Sequence, residues 1–265
     1  MTAAQDGRNA RAIARVRSDN ERRTIVKRSI LAATLVLLLF GATTQAQPAT
    51  PDLDPSSFST DVTNPWFPLP PGAVRIYEGE ETDPDTGETH RYRIEETVLT
   101  ETDEVLGIPV VVLQVREFED GELIEETRDY HAQHADGSVW YFGEDVDNIE
   151  DGVIIDHDGS WLAGEGENLP SLFMPADPQP FDTMAQEQAP GLAEDLSTVV
   201  QIDLAVQVAA GAFSSCIWTV DVNPLEVASE FKHYCPGPGL VREQNAAGVT
   251  ELISLTLPGA ATPAA

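Results

Sequence analysis

The chain has 265 residues, with 15 Lys and Arg against 45 Asp and Glu and a formal net charge of −30. Hydrophobic residues make up 42%, enough for a packed core, which excludes wholesale disorder. The acidic balance argues against nucleic-acid binding, which needs clustered Lys and Arg; with two cysteines, a disulfide-dense miniprotein and a Cys-rich zinc module are both excluded.

Residues 1–46 read as an export signal. A basic stretch from Arg8 to Arg28 precedes an apolar run over 30–42 and a small polar exit, Thr43-Thr44-Gln45-Ala46-Gln47. That is the order of a secretory signal, and the run is short for a membrane span, which needs about 20 residues. Arg22-Arg23-Thr24-Ile25-Val26-Lys27 resembles the twin-arginine (Tat) motif, with Glu21 where that motif prefers Ser or Thr. An ordinary Sec signal is the alternative route, and an uncleaved N-terminal anchor the alternative fate. The expected location is extracytoplasmic, secreted or periplasmic. After residue 46 the chain keeps seven Lys or Arg against 42 Asp or Glu, and Lys232 is the one lysine among them.

Residues 47–57, rich in Pro, Thr and Ser, read as a spacer. Residues 58–257 read as one β domain, and 258–265 as a disordered tail. Turn signals punctuate the domain: Pro71-Gly72, Thr86-Gly87, Leu106-Gly107, Asp120-Gly121, Asp136-Gly137, Asp151-Gly152 and Asp158-Gly159. Gly takes positive φ at no steric cost, so Asp-Gly is a strong hairpin signal. Between the turns, strands are expected over 73–78, 90–99, 108–118, 123–130 and 138–142. Tyr92 and Ile94 alternate with charges, as in a strand with one wet face. Val110 to Leu113 is continuously apolar, which suits a central strand covered on both sides. Strand-like sequence resumes over 197–208, 213–222, 227–234, 239–243 and 250–256. The fold class is therefore mainly β: a curved antiparallel meander or half-barrel with little helix. Residues 164–191 carry Pro170, Pro175, Pro178, Pro180 and Pro190, which oppose long helices and central strands. This segment is expected to cover the sheet, with Leu169, Leu172, Phe173, Met174 and Phe181 beneath it.

Three segments carry a resemblance. Asn64-Pro65-Trp66-Phe67-Pro68-Leu69-Pro70-Pro71-Gly72 and Asp136-Gly137-Ser138-Val139-Trp140-Tyr141-Phe142-Gly143-Glu144 resemble segments of a family of uncharacterised bacterial secreted proteins. Pro236-Gly237-Pro238-Gly239-Leu240-Val241 resembles a closing element of the same family. That last element is also similar to the final hairpin of curved-sheet periplasmic proteins of the lipoprotein-carrier type. The resemblance spans about residues 58–245 and implies export and a curved sheet, but no activity.

His131 and His134, beside Asp129 and Asp136, have the residue types of a metal half-site. Positions i and i+3 of a strand point to opposite faces, so a polar hairpin tip is the expectation instead. The run from Glu144 to Gly152 offers oxygen donors for Ca²⁺, but lacks the glycine and terminal Glu of an EF-hand loop; a solvated acidic hairpin is expected. No nucleophile elbow, His-Glu-x-x-His, Walker loop or dinucleotide fingerprint occurs. No catalytic, cofactor or metal residue is therefore assigned.

An exported cysteine pair is expected to be bonded. If Cys216 faces Cys235 across a hairpin, Trp218 faces His233 and Val220 faces Phe231, placing mostly apolar residues on one side. Trp66 and Phe67, set among prolines, are expected to plug one end of the sheet. The expected function is non-catalytic binding of a small apolar or amphipathic ligand, in a cavity bordered by Trp140, Trp161, Leu172, Phe173 and Met174. In the alternative packing, residues 164–191 fill that space. The alternative function is an extracytoplasmic hydrolase using carboxylates, with or without a divalent cation.

Overall fold

The computed structural model describes residues 53–84, 86–225 and 229–258. The export signal expected over residues 1–46 lies outside them. Past a short 3₁₀ turn at Pro55–Ser57, the strands are β1 (Phe58–Ser59), β2 (Val74–Thr82), β3 (Thr89–Val105), β4 (Ile108–Glu119), β5 (Glu122–His134), β6 (Val139–Glu150), β7 (Val153–Asp156) and β8 (Trp161–Leu162). The chain continues with β9 (Ser171–Met174), β10 (Thr183–Ala185), β11 (Leu196–Val208), β12 (Gly211–Val222), β13 (Ser229–Cys235), β14 (Gly239–Gln244) and β15 (Gly248–Thr256). Among the described residues no helix is long and apolar enough to cross a membrane.

The strands form one antiparallel sheet in the order β10-β11-β12-β13-β14-β15-β2-β3-β4-β5-β6-β7, with β1 on β5 and both β8 and β9 on β6. The curved meander expected from the sequence is therefore present. Three of its hairpins turn on residue pairs the sequence marks. Leu106-Gly107, Asp120-Gly121 and Asp151-Gly152 have positive φ at both positions. Each joins directly paired residues: Val105↔Ile108, Glu119↔Glu122 and Glu150↔Val153. A two-residue loop of this kind matches the right-handed twist of the flanking strands.

The sheet curls without closing its backbone ladder. β9 hangs from β6 at one side and β10 from β11 at the other. Side chains bridge the seam between them. Ser171 Oγ donates to the Gln186 carbonyl at 2.6 Å, and Gln186 Nε2 donates to the Phe173 carbonyl at 3.0 Å. Residues 164–191 are thus not strand-free, as the proline density suggested; they supply both short seam strands. Their expected apolar underside is also only partial, because Leu169 and Phe181 are exposed.

Successive residues of β4 fall into different apolar clusters. Val110 and Val112 pack with Tyr130, Trp140, Phe142 and Trp161. Val111 and Leu113 pack with Val62, Leu69, Met174 and Ile217. This strand is covered on both faces, as its unbroken apolar run required. Gly143 lets β8 approach β6. Its φ is 121°, and a Cβ there would lie 2.2 Å from the Trp161 carbonyl oxygen.

Asn64 helps to fix the Pro-rich segment before β2. Asn64 is buried; its Nδ2 donates to the Gly137 and Pro175 carbonyls at 3.0 and 2.9 Å, and its Oδ1 accepts from Trp66 N at 3.0 Å. These bonds seat Phe67 against the inner face of the sheet, where its ring meets Phe173 and His131.

Cys216 and Cys235 form a disulfide. The β12–β13 register runs Ile217↔Tyr234, Trp218↔His233, Thr219↔Lys232 and Val220↔Phe231. This is the register inferred from joining the cysteines. Trp218 stacks on His233 at 6.1 Å, 11° from parallel.

Candidate functional site

Five strands turn residues spaced by two toward one concavity. Arg75 and Tyr77 come from β2, Ile94 and Glu96 from β3, Leu113, Val115 and Glu117 from β4, Asp129 and His131 from β5, and Glu230, Lys232 and Tyr234 from β13. With Phe67, Tyr141, Phe173, Glu187, Leu240 and Glu243 they enclose about 320 Å³. That lies at the lower end of the range of small-molecule sites.

One end is aromatic. His131 stacks on Tyr141 at 4.5 Å and meets Phe67 and Phe173 edge-on at 5.1 and 5.0 Å. The imidazole is 2% exposed, and its Nδ1 has no hydrogen-bond partner. Burial pushes its pKa down to about 3 against the raising effect of a hydrogen bond to the Trp140 backbone. His131 is therefore neutral at physiological pH.

The rest of the wall is acidic. Burial pushes Glu117 up to about 7, against the opposing hydrogen bond from the Tyr92 hydroxyl. Burial also holds Asp129 well above the ordinary carboxylate range, with Glu144 adding repulsion. Glu187 rises to about 10 through burial and its closeness to Asp195 and Glu144. Glu243 rises to about 7 because burial outweighs the attraction of Lys232. Behind the wall, burial raises Glu144 to about 7 as well.

Two cations face these carboxyls, and both are engaged. Arg75 Nε donates to the Pro238 carbonyl at 2.7 Å, its Nη2 to the Pro68 carbonyl, and its Nη1 lies 3.5 Å from Glu96 Oε2. The Tyr77 hydroxyl lies 3.2 Å from the same Glu96 oxygen. Lys232 Nζ lies 2.8 Å from Glu230, 3.3 Å from Asp221 and 3.8 Å from Glu243. Burial disfavours its charge, but Glu243, Asp221 and Glu230 hold the ammonium well above its ordinary pKa.

Of the residues expected to border the cavity, Phe173 lines it. Trp140, Trp161 and Met174 are buried in the apolar clusters beside it, and Leu172 packs against those clusters. They form the support under Tyr141 and Phe173 rather than the lining. His131 is not part of a polar hairpin tip. It lies inside β5 with its ring turned to the cavity, whereas His134, nearer the turn, contacts Asp136 at 3.0 Å and the Phe58 ring. The two imidazoles diverge, as a separation of three requires in a strand. The run from Glu144 to Gly152 is the β6–β7 hairpin. Among the described residues, no three His, Cys, Asp or Glu side chains are grouped to hold a metal ion.

The acid wall is the part of the site that sequence reasoning passed over, and β3 illustrates why. Glu96 shares the face of Ile94, yet a lone Glu in an acidic chain signals solvent. Lys232 was the available clue, since a single lysine inside strand-like sequence stands out against 42 acidic residues.

No protein-family model, no curated protein and no solved structure matches the chain.

Proposed function

We propose that the concavity binds a small amphipathic molecule and that the protein is a non-catalytic binding protein. The observation that carries this reading is the division of one cavity into an aromatic end and a polar wall, with the buried Nδ1 of His131 in the aromatic end left without a partner. Buried polar atoms are nearly always hydrogen-bonded, and a bound molecule would complete this one. The aromatic rings would take its apolar body.

Native mass spectrometry of protein purified from its own host tests the reading. A co-purifying small molecule is expected, and thermal melts with neutral, cationic and anionic amphiphiles should show stabilisation by at least one class. Protein without a bound molecule, whose melting temperature none of these classes raises, would overturn it. Carboxyls that titrate near neutrality also suit a general acid. Turnover of a stabilising compound during the melts would favour the hydrolase reading instead.

A further inference from the structure

We infer that the molecule taken by this cavity is an organic cation, with an ammonium group against Glu117, Asp129 and Glu243 and an apolar body against Phe67, Tyr141 and Phe173. The inference rests on the proposed reading of the concavity as a ligand site, and adds the charge of the ligand.

Three observations support it. The first is charge. Six carboxyls line the cavity, from Glu96, Glu117, Asp129, Glu187, Glu230 and Glu243, against Arg75 and Lys232. Both cations are held by Glu96, Asp221, Glu230 and Glu243. No Lys or Arg among the described residues pairs with Glu117 or Asp129, so their charge is uncompensated when they ionise. Burying an unpaired charge is costly, and the group takes up a proton instead.

The second is His131. It is neutral and 2% exposed, and it lines the cavity with Nδ1 unpartnered. With its proton on Nε2, Nδ1 presents a lone pair, which an N–H donor satisfies and an anion does not. The third is the aromatic end. Rings attract a cation through their negative faces. The carboxyls are distributed over β3, β4, β5, β13 and β14, which suits an extended molecule better than a point ion.

Such a cation would enter in exchange for protons. Glu117 faces Tyr92 on β3, Glu125 on β5, Glu243 on β14 and Glu81 on β2. Glu243 faces Lys232 and Glu230 on β13, Asp221 on β12 and Glu81 on β2. Asp129 faces Glu144 on β6, Glu96 on β3 and Glu117 on β4. Nearly all of these neighbours are acidic, so an ammonium group favours the ionised carboxylates, and affinity should rise with pH through neutrality while the amine keeps its own charge.

Titration of the full chain with octylamine, octanol and octanoate tests this by calorimetry near neutral pH. Octylamine should bind at least tenfold more tightly than octanol, with octanoate weakest. Buffers of different ionisation enthalpy should report proton release with octylamine alone. In Glu117→Gln/Glu243→Gln, whose amides resemble the protonated acids, octylamine should lose at least tenfold in affinity, with octanol unchanged. Equal binding of octanol or octanoate would overturn the cationic ligand but leave the cavity as an amphiphile site. Binding of none of the three would overturn both readings. Displacement of octylamine by stoichiometric Ca²⁺ would replace the organic cation with a metal.

Discussion

Lys232, the one lysine after residue 46, reaches from β13 to Asp221 on β12, with Nζ 3.3 Å from Oδ2. Asp221 is 4% exposed, and its Oδ1 accepts a 2.5 Å hydrogen bond from Ser197 Oγ. The ammonium therefore anchors a charge that the strand pair has already buried. Lys232→Met should cost about 3–5 kcal/mol at neutral pH, the usual effect of stranding one partner of a buried pair. Urea denaturation at neutral and mildly acidic pH checks it. The cost should shrink in acid, where Glu243 takes up a proton; an equal cost at both would show that lost packing, not charge, is responsible.

The protein alone should lose stability as pH rises through neutrality. Glu117, Glu144 and Glu243 sit at about 7 in the fold against an ordinary 4.5. An acid raised by folding contributes stability that is fully present below its unfolded pKa and is lost as pH climbs through the folded one. His131 works the other way, since its pKa falls from 6.5 to about 3, but that effect is confined to pH below its unfolded value. From about pH 6.5 to 8 the raised carboxyls act, and His90, whose pKa is raised by its hydrogen bond to Asp120, acts in the same direction, so the melting temperature should fall there. Thermal melts across that window check the sign, and a rise would contradict the buried acid wall.

Reduction of Cys216–Cys235 should destabilise the protein by about 3 kcal/mol, the chain-entropy value for a loop of this size. The two positions are 19 residues apart. Intact mass with and without reductant, followed by chemical denaturation, checks the prediction. Two alkylatable thiols in the unreduced protein would refute the bond.

Gly143→Ala should be severe for so small a change. The residue has φ 121°, and the new methyl would meet the Trp161 carbonyl. It would push β8 from β6, where Gly143 pairs with Leu162. A loss of more than about 2 kcal/mol is expected, because backbone strain and a broken ladder act together. Gly121→Ala is the contrast. It shares the positive φ but has nothing within 4 Å, so it should cost only the conformational strain of about 1 kcal/mol. Urea denaturation of the two variants side by side checks both values.

The sequence by itself determined the ten longer strands, several turns and one register. Val and Ile runs between Asp-Gly pairs leave little choice of element, because a two-residue loop with positive φ accepts few residues. The cysteine pairing carried the register of β12 on β13, since a shift by one residue would set Cys216 opposite a neighbour of Cys235 whose side chain points to the other face. Tertiary structure alone decided which face of each strand is concave. Period two shows that Glu96 shares a side with Ile94, and Asp129 with His131, but not whether that side meets water. The answer depends on the curl of the whole sheet and on β15 pairing with β2, which joins Leu255 to Arg75 across most of the domain. Only that long-range pairing brings Arg75, Glu117, Asp129 and Lys232 around one cavity, where removal from water favours the neutral form of Glu117 and Asp129.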